Sequence, residues 1–89
     1  MRCYCYVLEC ADGTYYTGWT TDPVKRAREH NAGRGARYTR GRRPVRLVYL
    51  EPARTREIAM RREWAIKSMS RFEKENLVRS TKLRLAKWS

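Results

Sequence analysis

The chain has 89 residues, with 21 Lys plus Arg against 9 Asp plus Glu and a net charge of +12. That length suits one domain over residues 1–89 with one modest core, and excludes a deep interior. Aromatic residues make up 11% and low-complexity stretches are absent, which excludes disorder as the explanation of the charge. No apolar run is long enough to span a bilayer. The N-terminus lacks the long apolar stretch of a signal peptide, so the expected location is cytoplasmic. The positive field points to polyanionic partners, nucleic acid ahead of any membrane surface. Arg outnumbers Lys, and its planar fork matches phosphate better than an ammonium does.

Tyr4 to Gly18 reads as a β-hairpin. Tyr4, Cys5, Tyr6, Val7 and Leu8 form one strand-prone run and Tyr15 to Trp19 another, with Asp12-Gly13 as a tight turn between them. Side chains two apart share a face, so Tyr6 and one second-strand tyrosine can sit together. Cys3, Cys5 and Cys10 fall in the first strand. Their odd count argues against disulfides, and a zinc site would need His30, the sole histidine, as its fourth ligand, so they read as small buried residues.

Asp22 or a preceding threonine followed by Pro23 signals a helix start, with the helix over 24–31 and Gly33 ending it. Arg26 and His30, four apart, share a face. Val24, Ala27 and Asn31 are its expected packing stripe. Residues 33–44 read as a loop with three glycines and five arginines, Arg34, Arg37, Arg40, Arg42 and Arg43, interrupted by Tyr38. Arginines take phosphates and an aromatic among them stacks on a base; the alternative is a solvated basic loop. Val45 to Glu51 is the third strand, apolar on both faces and so well covered rather than a solvated edge, and Pro52 closes it. Thr55 caps a helix over 56–68 with Ile58, Ala59, Ala65, Ile66 and Met69 as its apolar stripe. Glu63 falls on that stripe. It either pairs with a cation such as Lys67, four residues on, or faces a cleft where a cation binds. Ser70-Arg71-Phe72-Glu73 is a capping box opening a last helix, with Phe72, Leu77 and Val78 inward. The stretch from Lys82 to Ser89 is basic, and either extends that helix or lies against the body.

In this order the residues resemble the GIY-YIG nuclease superfamily, and within it the catalytic domains of structure-selective DNA repair endonucleases. Tyr4-Cys5-Tyr6 stands at the first half-motif, with only its final tyrosine kept. Tyr16-Thr17-Gly18 stands at the second. Arg26 follows Tyr16 by ten residues, at the spacing of the catalytic arginine, and His30 comes one turn later. Glu63 falls at the metal-binding glutamate. The resemblance implies an α/β (α+β) fold, a central three-stranded antiparallel sheet flanked by helices in the order β-β-α-β-α-α.

It also implies phosphodiester hydrolysis with Mg²⁺ (or Mn²⁺), on duplex, branched or flapped DNA. The catalytic set would be Tyr6, Tyr16, Arg26, His30 and Glu63, with Glu63 holding the metal. Nucleic-acid contacts would come from Arg34, Arg37, Tyr38, Arg40, Arg42 and Arg43. Whether Tyr16 or His30 acts as base stays open, as does any regulatory protein partner. Two departures stand out. Asn76, 13 residues after Glu63, matches only weakly the late asparagine of many members, and Trp19 sits where some carry a basic residue. The competing reading is a nucleic-acid-binding module of the same fold with little or no catalytic activity.

Overall fold

Two runs of β-prone residues joined by a five-residue connection form the hairpin from which the rest is hung. In the computed structural model, which describes residues 2–80, strand β1 (Cys3–Glu9) pairs antiparallel with β2 (Tyr15–Thr20) on one side and with β3 (Arg46–Ala53) on the other, giving the order β2-β1-β3. The turn is built as its chemistry demands. The Asp12 carboxylate accepts from Thr14 N at 3.1 Å and from Thr14 Oγ1 at 2.6 Å, and Gly13 takes φ 84°. Because β1 is central, Cys5, Val7 and Leu8 have no exposed surface. They form the core with Tyr6, Val48, Tyr49, Leu50 and Ile66, and all three cysteines are buried and free.

Helix α1 (Pro23–Asn31) begins at Asp22, whose Oδ1 accepts from Lys25 N at 3.1 Å. Gly33, at φ 83°, follows its C-cap Ala32. Helix α3 (Arg56–Lys67) is capped by Thr55 Oγ1, which accepts from Ile58 N at 3.1 Å. Helix α4 (Arg71–Ser80) opens on the expected capping box: Glu73 N donates to Ser70 Oγ at 3.2 Å and Ser70 N donates to Glu73 Oε1 at 2.9 Å.

Five expectations need correction. The inward line of α1 is Pro23, Ala27 and His30, while Val24 and Asn31 are exposed. The segment 33–44 is not all loop: Arg37–Arg40 makes one helical turn, α2, so the element order gains a helix between α1 and β3. Strand β3 does not close at Pro52 but runs to Ala53, with Pro52 opposite Tyr4. A proline fits there because β3 is an edge strand, on which a missing ladder donor costs nothing; its faces are covered, but its outer edge is not paired in the sheet. Phe72 points outward, 72% exposed. Leu77 and Val78 pack on the core, and at about 100° per residue Phe72 lies roughly 120–140° round the helix from both. Ile58 is likewise 46% exposed, about a quarter turn off the buried line through Ala59 and Ile66. The reading of 82–89 falls outside the described residues.

The two faces of the sheet are dressed differently. Tyr6, Leu8, Tyr16 and Gly18 share one face, against α1. Cys3, Cys5, Val7 and Glu51 share the other, where α3 packs: Ala59 joins Cys3 and Ala53, and Arg62 reaches Glu51.

Candidate active site

Hairpin register decides which tyrosines meet. Tyr6 lies opposite Gly18 and Tyr16 opposite Leu8, so Tyr6 and Tyr16 are diagonal neighbours on one face, ring centroids 6.5 Å apart. Gly18 makes room for this. A Cβ there would stand 2.6 Å from the Tyr6 hydroxyl oxygen, so a side chain would evict the ring. Helix α1 brings His30 against both rings, 5.9 Å from Tyr6 and 5.1 Å from Tyr16. Gly35 closes over the imidazole from beyond α1; a Cβ at that position would come within 2.2 Å of Nδ1.

His30 is fully buried and hydrogen-bonded at both ring nitrogens. Nε2 lies 2.9 Å from the Tyr6 hydroxyl, and Nδ1 lies 2.8 Å from Thr39 Oγ1. Thr39, on α2, is itself fully buried and donates to the Ala36 carbonyl at 3.1 Å. Burial, helped by the Arg26 charge and opposed by Glu29, pulls the His30 pKa down to about 4. The imidazole is therefore neutral at physiological pH. Burial pushes the Tyr6 phenol up to about 12, against the opposing pull of Arg26 beside it. Tyr6 thus holds its proton in the resting protein.

Arg26 sits at the rim, about a third exposed. Nη1 donates to Glu29 Oε1 at 3.2 Å and Nη2 to the Gly35 carbonyl at 3.3 Å. Burial works against its charge, but hydrogen bonds to Tyr6 and Glu29 outweigh it and the pKa is raised. The guanidinium stays charged while held at two nitrogens, a geometry suited to a phosphoryl oxygen. Trp19, Lys25, Arg26 and Glu29 line an open cleft of about 460 Å³ beside it, at the β2–α1 junction.

Glu63 comes from α3 and, among the described residues, makes no hydrogen bond to the tyrosine cluster. Its charge is nonetheless close enough to bear on Tyr6 and Cys5. The carboxylate is partly exposed, and its ion pair is with Lys67 Nζ at 3.5 Å, a loose contact that leaves an oxygen available. Among the described residues no three of His, Cys, Asp and Glu gather into a metal cluster. A single partly exposed carboxylate fits Mg²⁺, which binds few protein groups; it does not fit a four-ligand zinc site.

The arginines of 33–44 divide into two groups. Arg42 donates to Asp12 Oδ2 at 3.0 Å and to the Tyr38 carbonyl at 2.8 Å, and its guanidinium lies 4.0 Å from the Tyr38 ring centre. Arg43 donates to the carbonyls of Arg40 at 2.9 Å and Asn31 at 3.3 Å. Both are tied into the frame. Arg34, Arg37 and Arg40 make no side-chain hydrogen bond or ion pair among the described residues. Tyr38 stacks on Tyr16 at 6.0 Å, so it extends the aromatic cluster as well as facing solvent.

The structure thus gathers Tyr6, Tyr16, Arg26, His30 and Tyr38, and brings Glu63 within electrostatic reach from a separate helix. Asn76 lies on α4. Sequence reasoning missed Thr39, Gly35 and Glu29. Only the closeness of Gly33 and Gly35, which lets backbone approach a ring, hinted at the second.

Comparison with known proteins bears on the family and the fold. The model of the GIY-YIG catalytic domain matches residues 2–76. A UPF0213 protein of Halobacterium salinarum is 60% identical over 72 residues, covering 81% of this chain and 94% of its own length. The solution NMR structure of a UPF0213 protein of Bacillus halodurans superposes with a TM-score of 0.60 at 49% identity, covering 92% of this chain and 87% of that one. A second solution structure, of a protein from E. faecalis, gives 0.61 at 41% identity over 93% of this chain and 88% of that one. Match and fold coincide over the same residues, and the chain belongs to the GIY-YIG family, a superfamily of nucleases.

Proposed function

We propose that this protein is a cytoplasmic, single-domain, metal-dependent DNA endonuclease, acting on branched or flapped DNA in repair or recombination. The observation that carries the reading is the convergence of the buried Tyr6–His30 pair, Tyr16 and the charged Arg26 on one face, with the Glu63 charge in reach. A module that only binds nucleic acid needs basic surface; it has no use for a neutral buried imidazole holding a phenol. Preference for branched substrates rests on family resemblance.

Glu63 would hold Mg²⁺ or Mn²⁺, which when bound polarises a phosphate and stabilises the leaving oxygen. Arg26 binds the phosphoryl oxygens and offsets charge that builds on them; a donor of this kind contributes about 3 kcal/mol at the transition state. His30, neutral and enclosed, accepts from Tyr6 rather than meeting water, so a proton of the attacking water taken up at the Tyr6 oxygen is balanced by the phenol's own hydrogen passing to His30 Nε2. Tyr16 is the tyrosine nearer the stacked Tyr38 and the basic segment. Arg34, Arg37 and Arg40 neutralise substrate phosphates. Tyr38, Arg42 and Arg43 complete that surface while holding its shape.

The test is cleavage of a labelled DNA panel with and without Mg²⁺. Wild type should cut, and Glu63→Ala and Arg26→Ala should each lose at least about a hundredfold in rate while still binding DNA. Identical products from wild type and Glu63→Ala would sink the enzyme reading. Binding without cleavage in every lane would favour the module. Affinity should fall with salt at a log–log slope of about −0.9 per phosphate neutralised on duplex DNA.

A further inference from the structure

The hydrogen bonds around His30 have a direction, and Thr39 sets it. A threonine hydroxyl carries one hydrogen. Thr39 Oγ1 lies 3.1 Å from the Ala36 carbonyl, which only accepts, so that hydrogen is committed there. In its 2.8 Å contact with His30 Nδ1, Thr39 Oγ1 must then accept, and Nδ1 carries the imidazole proton. With the ring neutral, Nε2 is a bare lone pair, and the 2.9 Å contact with Tyr6 is the phenol donating. Tyr16 on β2 and the charges of Arg26 and Glu29 on α1 also bear on the ring, and none makes a hydrogen bond to either nitrogen.

We propose that Thr39 is a positioning residue: it fixes His30 as the Nδ1–H tautomer, so that the Tyr6 proton points into the protein and the Tyr6 lone pairs turn to the open side where Arg26 stands. The role of Tyr6 rests on the nuclease reading above; the tautomer does not. Without the threonine acceptor the imidazole proton is free to move to Nε2. Tyr6 would then have to accept from His30 and turn its own hydrogen outward, toward the charge of Arg26. The hydroxyl would be reversed with hardly an atom displaced. Gly35 sharpens the constraint, since it packs on the ring beside Nδ1 and leaves no room for a side chain to supply another acceptor from that side.

The chain has a single histidine, so uniform ¹⁵N labelling gives one imidazole pair to assign. A long-range ¹H–¹⁵N correlation at neutral pH should place the proton on Nδ1 in wild type and in Thr39→Ser. Thr39→Val, equal in shape but without an acceptor, should show Nε2–H or a mixture. In the Mg²⁺ cleavage assay Thr39→Val should lose about 10- to 100-fold in kcat with KM for DNA little changed, and Thr39→Ser should recover it. A wild-type proton on Nε2 overturns the proposal, and that measurement needs no variant to fold. So does a Thr39→Val protein that keeps pure Nδ1–H, or one that changes tautomer without losing kcat. Nδ1–H in a wild-type protein that cuts no DNA supports the tautomer assignment and sinks the nuclease reading, so the two failures are distinct.

Discussion

Each face of the sheet carries a buried tyrosine hydroxyl tied to a helix, and the two ties differ in kind. On the α1 side Tyr6 meets His30 and His30 meets Thr39, all of them neutral and fully enclosed or nearly so. On the α3 side Tyr49 donates to Glu51, and Glu51 accepts from Arg62 Nε at 2.9 Å. That second tie contains a full ion pair, about a third exposed at both ends. The contrast follows from solvent access. An ion pair at the sheet margin keeps part of its hydration and contributes modestly, whereas a chain of neutral groups in a dry pocket has no water to fall back on. The α3 tie locates a helix. The α1 tie fixes protons as well.

Three perturbations would break or sharpen that contrast. The largest effect belongs to Gly35→Ala. Its Cβ would sit 2.2 Å from Nδ1 of an imidazole ring that is hydrogen-bonded through both nitrogens and cannot swing away. Overpacking of this kind costs about 3 kcal/mol or more, read as a fall in the urea midpoint with unchanged m-value. A loss under about 1 kcal/mol would mean that the pocket yields easily.

Next is pH. His30 has a folded pKa near 4, below its ordinary 6.5, so the unfolded chain binds the extra proton. Stability is then complete above the unfolded pKa and is lost as pH falls from there toward the folded value. Between about pH 7 and about pH 5 the loss should be about 2 kcal/mol. His30→Gln should flatten that slope, and an equal slope in the variant would count against a neutral His30.

The smallest effect belongs to Arg62→Met. Removing one end of a partly exposed pair should cost about 1 kcal/mol and leave the His30-dependent slope intact. If it costs as much as Gly35→Ala, the two faces are not different in kind.

Much of this arrangement is legible in the residues because it is set locally. Asp12-Gly13 fixes hairpin register, and alternation from that register puts Tyr6 and Tyr16 together. Asp22, Thr55 and Ser70 announce their helices, and four-residue spacing aligns Arg26 with His30. What depends on distant partners is not legible. Arg42 and Arg34 look alike in sequence, yet Arg42 is committed to Asp12 thirty residues away while Arg34 makes no such bond among the described residues. Thr39 looks like a surface threonine between arginines, and only the folded chain sets it under His30. Phe72 looks like a core residue by type; the rotation of α4 about Leu77 and Val78 turns it out.

The cysteines of the central strand have a consequence for reactivity. Cys5 lies between Trp19 on β2 and Glu51 on β3, with no exposed surface. Burial first, then the charges of Glu51 and Glu63, push its thiol up to about 12. The thiolate is the form that electrophiles and oxidants attack, so in the closed sheet Cys5 is both hidden and in its inert state. Reaction has to wait until neighbouring strands part. The sulfur at the middle of the sheet is thus a clock for opening, and its consumption by an alkylating reagent counts how often the closed sheet gives way.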